Sequence, residues 1–385
     1  MEHLPRELLR KIQQDVNAVD ELSLRYSSVS MKDAVDFKGL SKKDVVRCSV
    51  CQLEWLKKCG YKWNIRACSD AARCGNVEAL EWLHKEGYIW NKKTTNQAAK
   101  GGHVEILERL IKQKCSFDYS SIETGAAKHG CINVLEWLSN KTTLYYNGVS
   151  SGIKGGRVEV LKWYKDKGYS FVPIDACFAA TCGNLEILKW IKESGCEIIP
   201  QVYNSAAANN HMDIMKWLRK EGYLWSSKII INAISSGSLE CVMFVVENGC
   251  YKHEEACIVA VQCGCLDILI YLTENEFPFE GFIMSVAIQC DNFEALKWLH
   301  DNGCVGDETC CTLALLSERS EILKWLRNNG YEWGEQVAEM LVVNKKIEKI
   351  IEAVQYGYTL PHYFYSFYKQ ECNKDVLDWL QTNTH

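Results

Sequence analysis

The 385-residue chain has no apolar run long enough to cross a bilayer. Its longest candidate, Cys257 to Leu272, is interrupted by Gln262, Gly264 and Asp267, whereas a spanning helix needs about 20 mostly apolar residues. No membrane segment is expected. The N-terminus does not look like a secretory leader, because Met1-Glu2-His3-Leu4-Pro5-Arg6-Glu7 carries charge where a leader has its apolar core. The expected location is cytoplasmic, with the nucleus as an alternative. Cations are not in surplus: 44 Lys and Arg face 49 Asp and Glu, a net charge of -5 with a pI near 6.0. Nucleic-acid binders show a basic balance or a dense basic face, so no nucleic-acid partner is expected. A Gly-rich phosphate loop, a Gly-x-Ser-x-Gly elbow and a His-Glu-x-x-His helix are also missing. With none of these, no catalytic residue and no cofactor can be named, and the chain reads as non-enzymatic.

What is present is a repeat. Leu53-Glu54-Trp55-Leu56, Leu80-Glu81-Trp82-Leu83, Leu135-Glu136-Trp137-Leu138, Leu188-Lys189-Trp190-Ile191, Leu296-Lys297-Trp298-Leu299 and Leu323-Lys324-Trp325-Leu326 are one motif at a 27-residue spacing. Anchored on that Trp, about thirteen units run from residue 45 to the end. One extra residue precedes Trp137 and one fewer precedes Trp163. A single globular core stops growing near about 250 to 300 residues, but a stack of units that contact only their neighbours does not. The expected division is therefore an N-terminal helical module, 1–44, and a repeat solenoid, 45–385, that is monomeric.

Each unit reads as helix, tight turn, helix, loop. Apolar residues five and two before the anchor, at it and one after it, as in Leu185, Leu188, Trp190 and Ile191, mark one face of the second helix. Nine of the 13 tryptophans sit at the anchor, and Trp63, Trp90, Trp225 and Trp333 follow eight residues later. That periodicity points to a shared core. Seven residues before the anchor stand Gly75, Gly102, Gly130, Gly156, Gly183, Gly237 and Gly264, with Asn210 and Asp291 as substitutes. These residue types tolerate positive φ, so the position is expected to be left-handed. Four before the anchor an acid recurs, where it meets the positive end of a helix. Eleven before it Ala recurs, letting first helices approach closely.

Ala-Ala-x-x-Gly-His/Asn-x-Glu-x-Leu-x-Trp-Leu-x-x-x-Gly, as in Ala179 to Gly195, resembles the two-helix half of an ankyrin repeat. The resemblance implies an all-α helical-hairpin repeat solenoid and a role in protein-protein interaction. Ankyrin units run to about 33 residues and open on a Thr-Pro-Leu-His turn; both the length and the opening are missing here, so the β-hairpin finger should be absent. Short units of this kind are similar to those in large families of giant viruses and protists. Separately, Leu4-Pro5-Arg6-Glu7-Leu8-Leu9-Arg10-Lys11-Ile12 resembles the opening of an F-box. That implies a Skp1-type adaptor held by Leu4, Pro5, Leu8, Leu9 and Ile12, with the repeats capturing a ubiquitin-ligase target. A capping helix with Pro in its first turn remains open.

Cys48-x-x-Cys51 has the spacing of half a zinc site. Yet eleven of the 20 cysteines fall on three repeat positions, which suits packing in a reducing compartment, so no metal site is expected. His103 and His211 recur at the turn and read as structural. One row breaks the pattern. Nine before the anchor stand Arg73, Lys100, Lys128 and Lys154, then Thr181, Ala208, Ser235, Gln262, Gln289 and Leu316. If the first helices line a concave face, the basic residues form a strip about four repeats long, suited to an acidic partner segment.

Overall fold

The computed structural model describes residues 63–143, 146–279, 282–343 and 348–361, together with 49, 50, 53, 54, 57 and 346. Its helices alternate with short turns and loops, and no strand occurs among the described residues. The chain falls into two compact units, Met1–Ile198 and Ile199–His385.

In the first unit the helices pair as α1 (Ala67–Cys74) with α2 (Val77–Lys85), α3 (Lys92–Gly101) with α4 (Val104–Lys112), and α5 (Tyr119–His129) with α6 (Ile132–Ser139). They continue with α7 (Tyr146–Lys154) and α8 (Val158–Asp166), then α9 (Pro173–Thr181) and α10 (Leu185–Glu193). The second unit repeats the pairing: α11 (Gln201–Ala208), α12 (Met212–Lys220), α13 (Ile229–Ser235), α14 (Leu239–Glu247), α15 (Ala256–Gln262), α16 (Leu266–Glu274). It ends with α17 (Ile283–Gln289), α18 (Phe293–Asp301), α19 (Cys310–Leu316), α20 (Ser320–Asn328), α21 (Val337–Val343) and α22 (Lys349–Gln355). In each unit the odd-numbered first helices pack on one another in sequence order, and each packs on its own second helix. This is an all-α helical-hairpin repeat solenoid.

The two breaks per repeat are backbone features. Every residue named above at the turn between helices has positive φ, including Asn210 at 55° and Asp291 at 59°. Glu318, at φ 61°, occupies the same place in the Trp325 repeat. The loop after the second helix carries a second left-handed residue, from Gly87 to Gly357, with Lys114 and Glu276 standing in for glycine. The Trp137 repeat has none at that loop position, and it lies between the two places where the 27-residue spacing slips.

The first-helix alanines from Ala71 to Ala314 are fully buried, which brings successive first helices together. In the second helices the buried columns lie three and two before the anchor and one after it, as in Ile187, Leu188 and Ile191. Fully burying each such aliphatic side chain stabilises by roughly 1.5 to 3 kcal/mol. This corrects the sequence expectation twice. Leu185, five before the anchor, is only half-buried. The anchors Trp137, Trp190, Trp217, Trp298 and Trp325 are half-buried as well, while Trp82 and Trp163 alone among the described anchors are buried. Trp190 meets Phe171 edge to face, their ring centroids 5.3 Å apart.

Candidate binding surface on the first helices

The basic row of the sequence is assembled by the fold. Arg73, Lys100, Lys128 and Lys154 each occupy the last turn of a first helix, in α1, α3, α5 and α7. Arg73, Lys128 and Lys154 are exposed and Lys100 is half-exposed, its stem lying against Gly125. A cation in the last turn is favoured by the negative end of the helix, so these residues cost their helices nothing. Arg73 Nη1 donates to Gln97 Oε1 at 3.2 Å. Among the described residues none of the four enters an ion pair.

The backbone beneath the row is held by side chains of the following repeat. In six of the repeats, the side chain six before the anchor reaches back to the end of the preceding first helix. His103 Nε2 lies 3.1 Å from Arg73 O, Cys131 Sγ donates to Lys100 O at 3.5 Å, and Arg157 Nε donates to Lys128 O at 3.4 Å. Asn184 Nδ2 donates to Ile153 O at 2.6 Å, beside Lys154. In the second unit Asn292 Nδ2 donates to Val261 O at 2.9 Å and Lys346 Nζ to Leu316 O at 2.7 Å. The Arg73, Lys100, Lys128 and Leu316 carbonyls are among those a helix end leaves without intrahelical partners, while Ile153 O and Val261 O also accept from the Gly156 and Gly264 N–H groups; together the bonds fix each basic residue relative to the next. Sequence reading placed His103 at a structural turn but missed this column, because His, Cys, Arg, Asn and Lys share no chemistry beyond a donor.

The column also adds charge. Arg157 is exposed beside Lys128 and extends the row, an addition the sequence analysis did not make. Two thiols register the resulting field. Burial pushes the Cys131 thiol up, against the opposing pull of Arg157 and Arg73, and burial raises Cys182 against the pull of Lys154. The row ends at Thr181. Residues 1–198 hold 30 Lys and Arg against 24 Asp and Glu, and residues 199–385 hold 14 against 25, so the net charges are +6 and -11 around the overall -5.

The adaptor residues Leu4, Pro5, Leu8, Leu9 and Ile12, and the Cys48-x-x-Cys51 pair, lie outside the described residues. Among those that are described, no three His, Cys, Asp or Glu side chains converge on a metal-sized site. There too, no helix is long and apolar enough to cross a membrane.

No protein-family model matches the chain, and no curated protein does. Solved structures do match. The pentatricopeptide repeat protein PPR10 in complex with an 18-nt psaJ RNA element aligns over 100% of this chain and 72% of its own at 11% identity, with a TM-score of 0.34. PPR10 from maize aligns over 99% and 71% at 12% identity, with a TM-score of 0.33. The expectation of no nucleic-acid partner is set aside here: one of the matching structures is a complex with an RNA element, a likeness that bears on fold alone. The net charge averages a basic first unit with an acidic second one, so it does not by itself exclude such a partner.

Proposed function

We propose that the chain is a non-enzymatic, ankyrin-like binding scaffold. Its first unit takes an extended acidic polypeptide along Arg73, Lys100, Lys128 and Lys154. The observation that carries this reading is the recurrence of a solvent-facing cation at one structural position in four successive repeats, each on a backbone tied down by the next repeat. Helices packed in sequence lie about 10 Å apart, close to three residues of extended chain at about 3.3 Å each. An acidic residue at every third position would therefore meet each cation in turn. Reversing the charge of Lys100, Lys128 and Lys154 together should weaken capture of such a peptide at least about tenfold and flatten its salt dependence, with the helical signal intact. Unchanged capture, or equal loss with a neutral peptide, refutes it. Single-stranded RNA of matched length is the comparison ligand, and tighter binding of RNA would replace the polypeptide reading.

The ligase version rests on the Leu4-Pro5 segment. Under it, the full chain retains a Skp1-type adaptor in a pull-down and a chain starting near residue 45 does not. Failure of both to bind removes it.

A further inference from the structure

The second unit presents a different surface. Seven residues after the anchor, on the loop that leaves each second helix, successive repeats carry Leu224, Tyr251, Pro278 and Val305. Leu224 is 75% exposed, Tyr251 66% and Val305 82%, and Pro278 is exposed too. A lone exposed Leu is ordinary. Four apolar tips at one register position in consecutive repeats form a row, a regularity that singly scattered exposed residues lack.

The surroundings of the row are acidic from Tyr251 onward, whereas the Leu224 loop carries Lys228 and Glu221 and follows a helix ending on Arg219 and Lys220. Glu254, Glu255, Glu276, Asp307, Glu308 and Glu332 are exposed on the same loops. Among the described residues of the loops from Tyr251 to Glu332, Lys252 is the sole Lys or Arg, and it is paired with Glu276 at 3.5 Å. At the far end of the row, two successive loops enclose an open groove of about 440 Å³. Val305, Gly306 and Tyr331 line it together with Asp307, Glu308 and Glu332. It is large enough for one long side chain and is ringed by carboxylates.

We infer that this loop row is a docking site for a cationic amphipathic helix of a partner protein. Tips about 10 Å apart match apolar residues seven apart on an α-helix, a rise of about 10.5 Å. The acidic flanks select lysine and arginine on the helix sides, and the end groove accepts one of those side chains. This site is separate from the basic row and does not depend on the function proposed above.

The test uses the full chain and a labelled helical peptide of about 21 residues, with Leu at every seventh position and Lys or Arg on its flanks. The same helix with Glu flanks is the counter-probe. Fluorescence anisotropy should show binding of the cationic peptide alone. The triple variant Leu224→Ser, Tyr251→Ser, Val305→Ser should weaken it at least tenfold. Glu254→Gln, Glu255→Gln, Glu308→Gln and Glu332→Gln together should weaken it and reduce its salt dependence. All these side chains are exposed, so circular dichroism should be unchanged. Equal binding of the Glu-flanked peptide, or insensitivity to both variants, overturns the proposal. So does capture of anionic vesicles or single-stranded RNA in place of the peptide. The Lys100, Lys128, Lys154 reversal should leave this binding intact, which separates its failure from failure of the first-unit surface.

Discussion

Asn292 does two jobs with one amide. Its Oδ1 accepts the Ala295 N–H at 3.1 Å, capping α18, while its Nδ2 donates to Val261 O in the last turn of α15. Asn292→Ala removes both: the cap contributes about 1 kcal/mol and the inter-repeat hydrogen bond about 1 kcal/mol, so about 2 kcal/mol should be lost locally. Asn292→Asp keeps the cap oxygen but sets an acceptor against a carbonyl, so about 1 kcal/mol should be lost. Repeat arrays need not unfold in one step, so the assay is amide exchange resolved along the chain rather than a single global midpoint. In Asn292→Ala, opening around α15 and α18 should rise by a factor of about 30, and the Ala295 amide should exchange fast. In Asn292→Asp that amide should stay protected while the α15 end loosens. Wild-type protection throughout in Asn292→Asp would show that the joint between repeats does not depend on this donor.

The remaining predictions concern space and protonation. Gly155→Ala places a methyl 2.2 Å from Lys128 O, a backbone atom that cannot swing aside. It should cost about 3 kcal/mol, read by thermal unfolding. Gly168→Ala meets nothing within 4 Å and is opposed only by its φ of 92°, so about 1 kcal/mol is expected. Burial pushes the thiols of Cys68, Cys257 and Cys311 up to about 11 from the ordinary 9.0. The folded state thus favours the neutral thiol. Its stabilising contribution is complete below pH 9 and disappears as pH rises from 9 to 11. Thermal midpoints should fall across that window, and a midpoint unchanged to pH 11 contradicts the assignment. Alkylation followed by mass spectrometry should mark the exposed Cys263 and Cys290 before any of these three.

Much of the architecture was legible in the sequence because it rests on residues with one strong physical property. Glycine, asparagine and aspartate announce a left-handed backbone, and alanine announces close helix contact; both columns appear where expected. Glu318 shows the limit: its side chain gives no sign of positive φ, and only its place in the repeat implies it. The buried column three before the anchor escaped notice because Ala79, Ile106 and Cys241 differ too much in size to look like one position, though all three are buried. The basic row was legible as a register, but its backbone supports and Arg157 were not, since a donor can be imidazole, thiol, guanidinium or amide. The acidic and apolar loop row stayed hidden for a different reason. Exposure of Leu224 or Val305 is a property of the folded loop, and nothing in the identity of Leu or Val reports it.

The side chains that reach from one repeat to the end of the preceding first helix give the joints they span one form, whatever residue supplies the donor. An array built on such joints works as a ruler whose graduations are helical hairpins. Excising one 27-residue graduation within the first unit would rejoin two equivalent ends and shorten the spacing between chosen cations by one pitch without inventing a new contact. Binding specificity in such a molecule can then be reset by counting hairpins as well as by changing side chains.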